Sequence, residues 1–448
     1  MVGIVETAPI VVIACPPENG HTHPLLPHAA HLVQQGYIVH FIAGAESEYA
    51  IRRTGAVFHL LHRDWPPGVL EKMMTFPDPT QRFNYALSAV FVDLTPVAMK
   101  VLQDVLEAIR EEHPQRDVVI VEEFASAGVW PFVLGAPLPK GYTRFPKVIT
   151  FATLPFAGSS VDTAPFRPGL PPDSSEEGRA RNAALYESFR EFELELVGHA
   201  NAVYQRLGAT KKAPGHLLDL WATGADLTVQ PCSPSLEYPR SDLSPKVRFI
   251  GGTPRAEVDP QLVLPEWWGE LLEAKKGESP RKIVFVSQGT VMVDYNMLLI
   301  PTIEALADRE DCMVIGVLGQ RGAKLEGVML PANAKVVDYL LYAAILPYVD
   351  VFINNGGYGG FMQGVMHGVP MVLDCCGLVD KAEVSMRGEW AGIAVNLRTS
   401  APSAGAIRDG VDKILTDASF KARCVKIQRE NEELDCRAQL ERLIAEVV

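Results

Sequence analysis

Short runs of apolar, often β-branched residues alternate with amphipathic stretches along this chain, and the alternation occurs twice. A continuous run such as IVVIA at 10–14 is typical of a parallel strand buried on both faces. The runs that predict strands in the first half are 10–14, 39–43, 117–122, 147–152 and 226–229. Those of the second half are 282–286, 312–317, 335–337, 349–353 and 371–373. The pattern predicts two parallel sheets, each covered by helices on right-handed crossovers.

The stretches between these runs have helical spacing. Apolar residues recur on one helix face between 24 and 35, and Gly36 ends that segment. Four apolar residues spaced four apart follow Pro96 and predict a helix with one buried face: Val97, Val101, Val105 and Ile109. The chain therefore belongs to the α/β class and is predicted to form doubly wound, Rossmann-like units.

A chain of 448 residues is too long for a single hydrophobic core, so two domains are expected. The segment 231–279 is rich in Pro, Ser and charge, which is typical of a linker. A second Pro-rich segment, 155–179, predicts a long surface loop, and such loops are often functional. We predict Rossmann-like domains at 1–245 and 281–425 that face each other across a cleft, joined by a linker at 246–280. A final helix at 426–448 is expected to pack back toward the first domain.

The formal net charge of −13 disfavours nucleic acid as a general partner. The seven cysteines are scattered without a C-x-x-C pair, so neither a disulfide framework nor a zinc site is indicated. The first apolar run lacks a basic region before it, which argues against a signal peptide, and no apolar stretch predicts a membrane span. We expect a soluble, cytoplasmic protein.

The strongest local signal for a site is the sequence NNGGYGG at 354–360, between a predicted strand and a predicted helix. Glycines there let a ligand approach the backbone, and the helix N-terminus offers N–H groups with partial positive charge. The combination suits a diphosphate, although a tight turn that merely packs against the sheet has the same appearance. The spacing is neither a dinucleotide fingerprint nor a P-loop.

Two further strand ends carry polar residues. The loop VSQGT at 286–290 follows the first strand of the second half, where parallel sheets bind ligands. In the first half, GHTHP at 20–24 places His21 where it can act as a general base, and a carboxylate at Glu122 or Glu123 could orient the imidazole. Asp380 follows another strand and suits either sugar hydroxyls or a helix N-cap.

Together these motifs resemble the family-1 UDP-sugar glycosyltransferases, which have the GT-B fold, in a branch of microbial secondary-metabolite enzymes. The resemblance covers nearly the whole chain and is strongest from about 282 to 399. It implies that His21 is the catalytic base and that Glu122 orients it, with Glu123 one residue away. It also implies a donor site whose residues are Gly20, Ser287, Gly289, Thr290, Tyr339, Asn355, Gly356, Gly357, Tyr358, Gly359, Gly360, Gln363, Asp380 and Lys381.

Four of these positions depart from the family pattern. Tyr339 replaces the Trp that stacks on uracil, and Asn355 replaces a His at the diphosphate. Gln363 replaces the Glu that binds the ribose, and Lys381 replaces a Gln beside the sugar. The departures leave the identity of the donor open.

The resemblance implies an inverting transfer of a sugar, by family default glucose, from a UDP-sugar to a small lipophilic or phenolic acceptor. We expect no metal or other cofactor, because no D-x-D cluster follows a predicted strand. Aromatic residues of the first half could form an apolar acceptor pocket: Trp65, Phe76, Phe83, Phe156 and Phe166. The alternatives are a GT-B sugar-nucleotide epimerase or hydrolase and a non-catalytic nucleotide-sugar binder. The acceptor, the attacked atom and the oligomeric state are open.

Overall fold

The computed structural model describes residues 8–63, 68–276, 279–289, 294–374 and 379–448. Two predicted site residues, Trp65 and Thr290, lie outside these ranges. Everything below concerns the described residues.

The first half forms a seven-stranded parallel sheet in the order β3-β2-β1-β4-β5-β6-β7. Its strands are β1 Ile10–Ala14, β2 Val39–Ala43, β3 Val57–Leu60, β4 Val118–Glu123, β5 Lys147–Phe151, β6 Leu227–Gln230 and β7 Val247–Phe249. The direction of winding reverses between β1 and β4. In sheets of this kind the crevice at such a reversal, beyond the carboxyl ends of the strands, is where ligands bind.

The second half repeats the design with a six-stranded parallel sheet in the order β10-β9-β8-β11-β12-β13. Its strands are β8 Lys282–Ser287, β9 Cys312–Val317, β10 Ala334–Val337, β11 Val351–Asn354, β12 Met371–Leu373 and β13 Ala394–Asn396. Here the winding reverses between β8 and β11. The prediction of two doubly wound sheets is confirmed.

Helices cover both faces of each sheet. Those of the first half are α1 Asn19–Thr22, α2 Leu26–Gln34, α3 Glu48–Thr54, α4 Val69–Thr75, α5 Pro79–Ala86, α6 Thr95–Glu112, α7 Trp130–Val133, α8 Glu176–Ser188, α9 Arg190–Arg206 and α10 Leu217–Thr223, with a π-helix at Leu87–Val92. Those of the second half are α11 Trp268–Ala274, α12 Leu299–Ala305, α13 Tyr342–Ile345, α14 Tyr358–Met366, α15 Val379–Trp390, α16 Ala404–Thr416, α17 Ala418–Leu434 and α18 Cys436–Val447. Short 3-10 turns occupy His23–Leu25, Ala45–Ser47, Pro234–Leu236 and Leu346–Tyr348.

The continuous apolar runs are explained by burial on both faces of each sheet. In β1, Ile10 and Val12 belong to the core beneath one helix layer, whereas Val11 and Ile13 belong to the core beneath the other. The strands of the second sheet divide between two cores in the same way. Each half therefore has the three-layer arrangement expected for a parallel sheet.

Two details differ from the expectations. β7 pairs with β6, so residues 247–249 belong to the first sheet and the linker does not begin at 246. The helix after Pro96 buries Leu102, Leu106 and their neighbours, while Val97 is 44% exposed. Val105 and Ile109 lie on the buried face as the spacing predicts, beside the larger Leu and Met side chains. Val97, at the start of the helix, does not.

The end of the chain forms two helices, which are separated at Asp435, where φ is 48°. Leu440 and Ile444 of α18 pack into the core of the first half, and Glu441 lies 2.7 Å from His31 of α2. The final helix thus crosses back to the first sheet.

The helical stretch Pro79–Glu112 is long and apolar enough to cross a membrane by length and composition alone. In the most apolar 18-residue part of this stretch, 44% is buried inside the protein. Because α6 lies in this stretch and contributes one face to the first core, packing within the fold accounts for its apolar character.

Candidate active site

A histidine and a buried glutamate form a pair at the carboxyl edge of the first sheet. His21 lies in α1, just after β1, and Glu123 is the last residue of β4, the strand beside β1. His21 Nδ1 is 2.8 Å from Glu123 Oε1. The histidine side chain is 25% exposed, whereas the glutamate is fully buried. Because Nδ1 faces the carboxylate, Nε2 is the ring nitrogen left to take a proton from a ligand.

The partner of His21 is therefore Glu123, and the expectation that it is Glu122 was wrong. Successive residues of a strand point to opposite faces of its sheet, so only one of the two carboxylates can face α1. Glu122 instead accepts a hydrogen bond from the Val129 amide at 3.4 Å, and its other oxygen has no hydrogen-bond partner. Burial raises the pKa of Glu122 well above its usual range, which favours the neutral acid.

Glu123 is held firmly. Its carboxylate accepts hydrogen bonds from the Thr153 hydroxyl and, at 2.9 Å, from the Ala125 amide. These donors fix the carboxylate, which in turn fixes the orientation of the His21 ring. The ring of Phe91, in the π-helix, stands edge-on to His21 with centroids 5.6 Å apart and limits the space around the imidazole.

Opposing effects set the basicity of His21. Burial lowers the pKa of His21, but the charge and hydrogen bond of Glu123 raise it, as does the charge of Glu18, while Arg63 lowers it. The net result is a pKa above the ordinary histidine value. Glu18 and Arg63 form an ion pair of their own at 2.5 Å. The imidazole is thus a base whose conjugate acid is stabilised by a buried carboxylate.

The glycine-rich turn joins β11 to α14 and fits an anion site. At Gly356 φ is 71°, and a Cβ there would lie 2.7–2.9 Å from Ser385 Oγ, Asp374 O and Lys381 O. The next glycines are open: a Cβ at Gly357 would meet its nearest atom at 3.5 Å, and one at Gly359 would meet none within 4 Å. No side chain caps α14, so its first amides remain available.

The side chains of the two phosphate-side loops mostly bind each other. Asn355, which is buried, donates a hydrogen bond to the Gln288 carbonyl and so ties the turn to the loop after β8. Ser287 accepts hydrogen bonds from the Tyr342 hydroxyl at 2.7 Å and the Gly289 amide at 3.3 Å. At Gly289 φ is 76°, and a Cβ added there would have no atom within 4 Å. The backbone is therefore the part of this region that is open to a ligand.

The side chains expected to bind the nucleoside are less buried than those of the phosphate-side loops. Tyr339 is 39% exposed, and the Arg321 guanidinium lies 4.0 Å from the centre of its ring. A stacking surface of arginine and tyrosine thus exists where a base was expected to stack. Gln363 is half-buried on α14.

Tyr358 differs from its expected role as a donor-binding side chain. Its hydroxyl accepts a hydrogen bond of 3.1 Å from Gln230 Nε2, at the end of β6 in the first half. Burial raises the pKa of this hydroxyl well above its ordinary value. The tyrosine side chain therefore fastens the start of α14 to the first domain. The sequence signal that could have revealed this contact is a single aromatic residue within the run of glycines at 356–360.

Asp380 and Lys381 lie in the first turn of α15, which packs against the glycine-rich turn. Burial raises the pKa of Asp380, although Lys381, the backbone amides of Asp380 and Lys381, and the charge of His21 all lower it. The first turn of α15 is therefore near enough to His21 for the two charges to interact. Residues of both halves thus form one site.

A buried ionic cluster, which sequence reasoning missed, joins α15 to the first half. Arg387 donates hydrogen bonds to Glu237 at 3.1 Å, Glu383 at 2.7 Å and the Phe156 carbonyl at 3.2 Å. Glu383 also accepts a hydrogen bond of 2.9 Å from the Gly169 amide, in the long loop. These side chains are almost fully buried. Arg387 and Glu383 are four residues apart on α15. Their partners in the first half lie far away in the chain, so no local pattern reveals the whole cluster.

The expected acceptor pocket is only partly assembled. Phe83 and Phe166 are neighbours, with ring centroids 6.2 Å apart, but Phe76 packs against Tyr85 instead. Phe156 and Phe166 are buried core residues that line a small cavity together with polar groups that include Arg387. The ionic cluster borders this cavity, and an apolar acceptor pocket at these residues stays a prediction.

Within the described ranges, no group of three or more His, Cys, Asp or Glu side chains is arranged to hold a metal ion. The chemical groups of the cleft are the His21–Glu123 pair, the backbone amides at the start of α14 and the first turn of α15. They provide a base, an anion site and a carboxylate that can accept hydrogen bonds from a ligand.

The chain is similar in sequence to known proteins. A family model described as the C-terminal domain of erythromycin biosynthesis protein CIII-like proteins matches residues 302–442. The chain is 42% identical to UDP-glucosyltransferase 1 of Beauveria bassiana, over 97% of this chain and 94% of that protein. It is 34% identical to 4'-demethylrebeccamycin synthase of Lentzea aerocolonigenes, over 94% of this chain and 95% of that protein.

Solved structures share the fold. The glycotransferase of kitacinnamycin superposes with a TM-score of 0.68 and 18% identity, covering 98% of this chain and 99% of that one. The spinosyn rhamnosyltransferase SpnG complexed with thymidine diphosphate has a TM-score of 0.62 and 16% identity, covering 98% and 100%. The similarity in fold extends over both halves and the C-terminal crossing.

Proposed function

The chain belongs to the family of microbial UDP-glycosyltransferases and has their GT-B fold, and from this starting point we propose that it is an inverting enzyme with His21 as its general base. The donor is a UDP-sugar, and the acceptor is a small lipophilic or phenolic molecule with a reactive hydroxyl. The observation that carries the proposal is the hydrogen-bonded pair of His21 and Glu123 at the carboxyl edge of the first sheet. The sequence-based prediction of the family and of the enzyme class is confirmed.

Catalysis needs a stronger nucleophile on one side of the anomeric carbon. His21 Nε2 takes the hydroxyl proton as the acceptor oxygen bonds to C1 of the sugar. Glu123, 2.8 Å from Nδ1, stabilises the imidazolium that forms. General base catalysis of this kind contributes about 10²–10⁴-fold.

On the opposite side of C1, the bond to the diphosphate oxygen breaks and its electron pair leaves with UDP. The open amides at Gly357–Gly360 and the N-terminus of α14 receive the charge that develops there. A single displacement with the base and the leaving group on opposite faces inverts the configuration at C1. An α-linked donor then yields a β-glycoside.

The leaving group is proposed to depart without a metal ion. Divalent cations at phosphate sites are usually held by carboxylates, and the glycine-rich turn presents backbone amides and neutral side chains.

Glucose is the proposed sugar, since relatives in Beauveria bassiana and Starmerella bombicola are named UDP-glucosyltransferases. Phe91, beside His21, offers an apolar surface to an acceptor that approaches the base. Relatives such as 4'-demethylrebeccamycin synthase support an acceptor from secondary metabolism. A cytoplasmic location stays a prediction.

A donor-by-acceptor screen followed by mass spectrometry tests the proposal. UDP-glucose and other nucleotide sugars are incubated with phenolic and lipophilic alcohols in buffer that contains EDTA. We expect a product heavier by one hexose with UDP-glucose, together with released UDP. Sugar-nucleotide turnover without a glycoside would indicate the epimerase or hydrolase alternative. UDP-sugar binding without any turnover would indicate a non-catalytic binder, and activity restored only by added metal would contradict the metal-free departure of UDP.

A further inference from the structure

Lys381 is a cation beside the glycine-rich turn, and its ammonium has no hydrogen-bond or ion-pair partner among the described residues. Only 9% of the residue is exposed, yet its ammonium nitrogen is not sealed from solvent. Within the described part of the chain, this ammonium forms no hydrogen bond or ion pair. Lysines with so little exposure are rare unless a partner offsets the cost of removing the charge from water.

The position of Lys381 connects it to the leaving-group side of the cleft. Its backbone carbonyl is one of three atoms that would lie within 3 Å of a Cβ added at Gly356. The first turn of α15 is therefore in direct contact with the turn that precedes α14. The neighbouring Asp380 interacts electrostatically with both Lys381 and His21.

Outside α15, the other predicted donor-site side chains that the structure describes around the glycine-rich turn are neutral. Ser287 and Asn355 are neutral and are held by Tyr342 and by the Gln288 carbonyl. Gln363 is neutral as well. Backbone amides bind an anion through partial charges, whereas UDP leaves the sugar with a full additional negative charge.

We propose that Lys381 is a catalytic residue, the cation that binds the diphosphate of the donor and stabilises it as it departs. This inference rests on the proposed function. As the acceptor oxygen bonds to C1, the bond from C1 to the diphosphate oxygen breaks, its electron pair stays on UDP, and the acceptor proton goes to His21. The lysine stays protonated throughout and contributes charge only. The unpaired ammonium is then explained, because its partner is the ligand.

The competing explanation is structural: Lys381 merely balances the buried Asp380. The two explanations differ in what they predict for ligands with and without phosphate. If the cation contacts the diphosphate, its removal weakens UDP binding and leaves uridine affinity unchanged. If the lysine only supports α15, its removal changes the affinities for both ligands equally or changes neither.

The test measures UDP and uridine affinity by titration calorimetry, and kcat with the screened substrates, for Lys381→Gln and Lys381→Arg. Lys381→Met keeps the buried stem and serves if the Gln variant is unstable. Lys426→Gln removes the same charge from an exposed position on α17 and is the matched control. We expect Lys381→Gln to weaken UDP binding and lower kcat by about 10- to 100-fold each, with uridine affinity changed less than about twofold. Lys381→Arg should retain most of the activity, and the control should match the wild type.

Equal losses for UDP and uridine, or unchanged UDP affinity and kcat in both neutral variants, would overturn the proposal. Either result leaves the proposed function intact as long as the wild-type protein forms a glycoside. If the wild-type protein fails to do so while binding UDP through Lys381, the proposed function fails and the diphosphate contact stands.

Discussion

His21→Ala is expected to reduce kcat for glycoside formation by about 10²–10⁴-fold while UDP affinity changes little. The substitution removes the imidazole that faces the acceptor but leaves α14, the glycine-rich turn and the loop after β8 untouched. Turnover assayed by mass spectrometry, with UDP affinity measured by calorimetry, separates the two effects. Unchanged turnover would remove His21 from the mechanism, and lost UDP affinity would mean that the variant has disturbed the donor site.

The two neighbouring glutamates supply a matched control for the same prediction. Wild-type activity should fall with decreasing pH as His21 becomes protonated, with the midpoint above the ordinary histidine pKa. Glu123→Gln removes a carboxylate that raises this pKa. The acid limb of the variant's pH–activity profile should therefore move to lower pH, and its kcat should fall. Glu122→Gln should leave the limb in place, because Glu122 points to the other face of the sheet. A larger shift with Glu122→Gln would contradict the pairing.

Gly359→Ala is expected to weaken UDP binding by about tenfold or more without destabilising the fold. A Cβ at this position meets no protein atom within 4 Å, so any obstruction is to the ligand. Alanine in the first turn of α14 should slightly raise the free energy of unfolding, by about 0.5–1 kcal/mol. Calorimetry with UDP and a thermal melt measure the two quantities on one sample.

Two other glycines are the controls for this result. Gly269 occupies the second position of α11, has no atom within 4 Å of an added Cβ, and should tolerate alanine with UDP affinity unchanged. Gly356→Ala should instead lower the melting temperature, since its left-handed backbone and three close contacts leave no room for a Cβ. Full UDP affinity in Gly359→Ala would mean that the turn only packs against the sheet.

Much of the fold could be predicted because a parallel strand buried on both faces has a distinctive local pattern. β1, β2 and β9 begin and end where the apolar runs do. β3 was missed because it is a short edge strand with exposed Val57 and Leu60, and β13 because three residues carry little pattern. Composition alone could not tell that β7 continues the first sheet into the supposed linker.

The site was predictable where its position follows from a strand end and uncertain where a face had to be chosen. His21 and the glycine-rich turn follow β1 and β11 directly. Whether Glu122 or Glu123 faces α1 depends on the pleat of β4, and adjacent acidic residues give no means of choosing. Contacts between the halves, such as Tyr358 with Gln230 or Arg387 with Glu237, join residues more than a hundred positions apart and have no local signature.

The central claim is a single displacement in which a base in the first half and a leaving-group site in the second act on opposite faces of one sugar carbon. Proton NMR of the glycoside formed from UDP-α-D-glucose tests it most directly, because the coupling constant of the anomeric proton reports the configuration at C1. The account predicts the β-anomer as the initial product. An α-glycoside formed from the first turnover onward would contradict it.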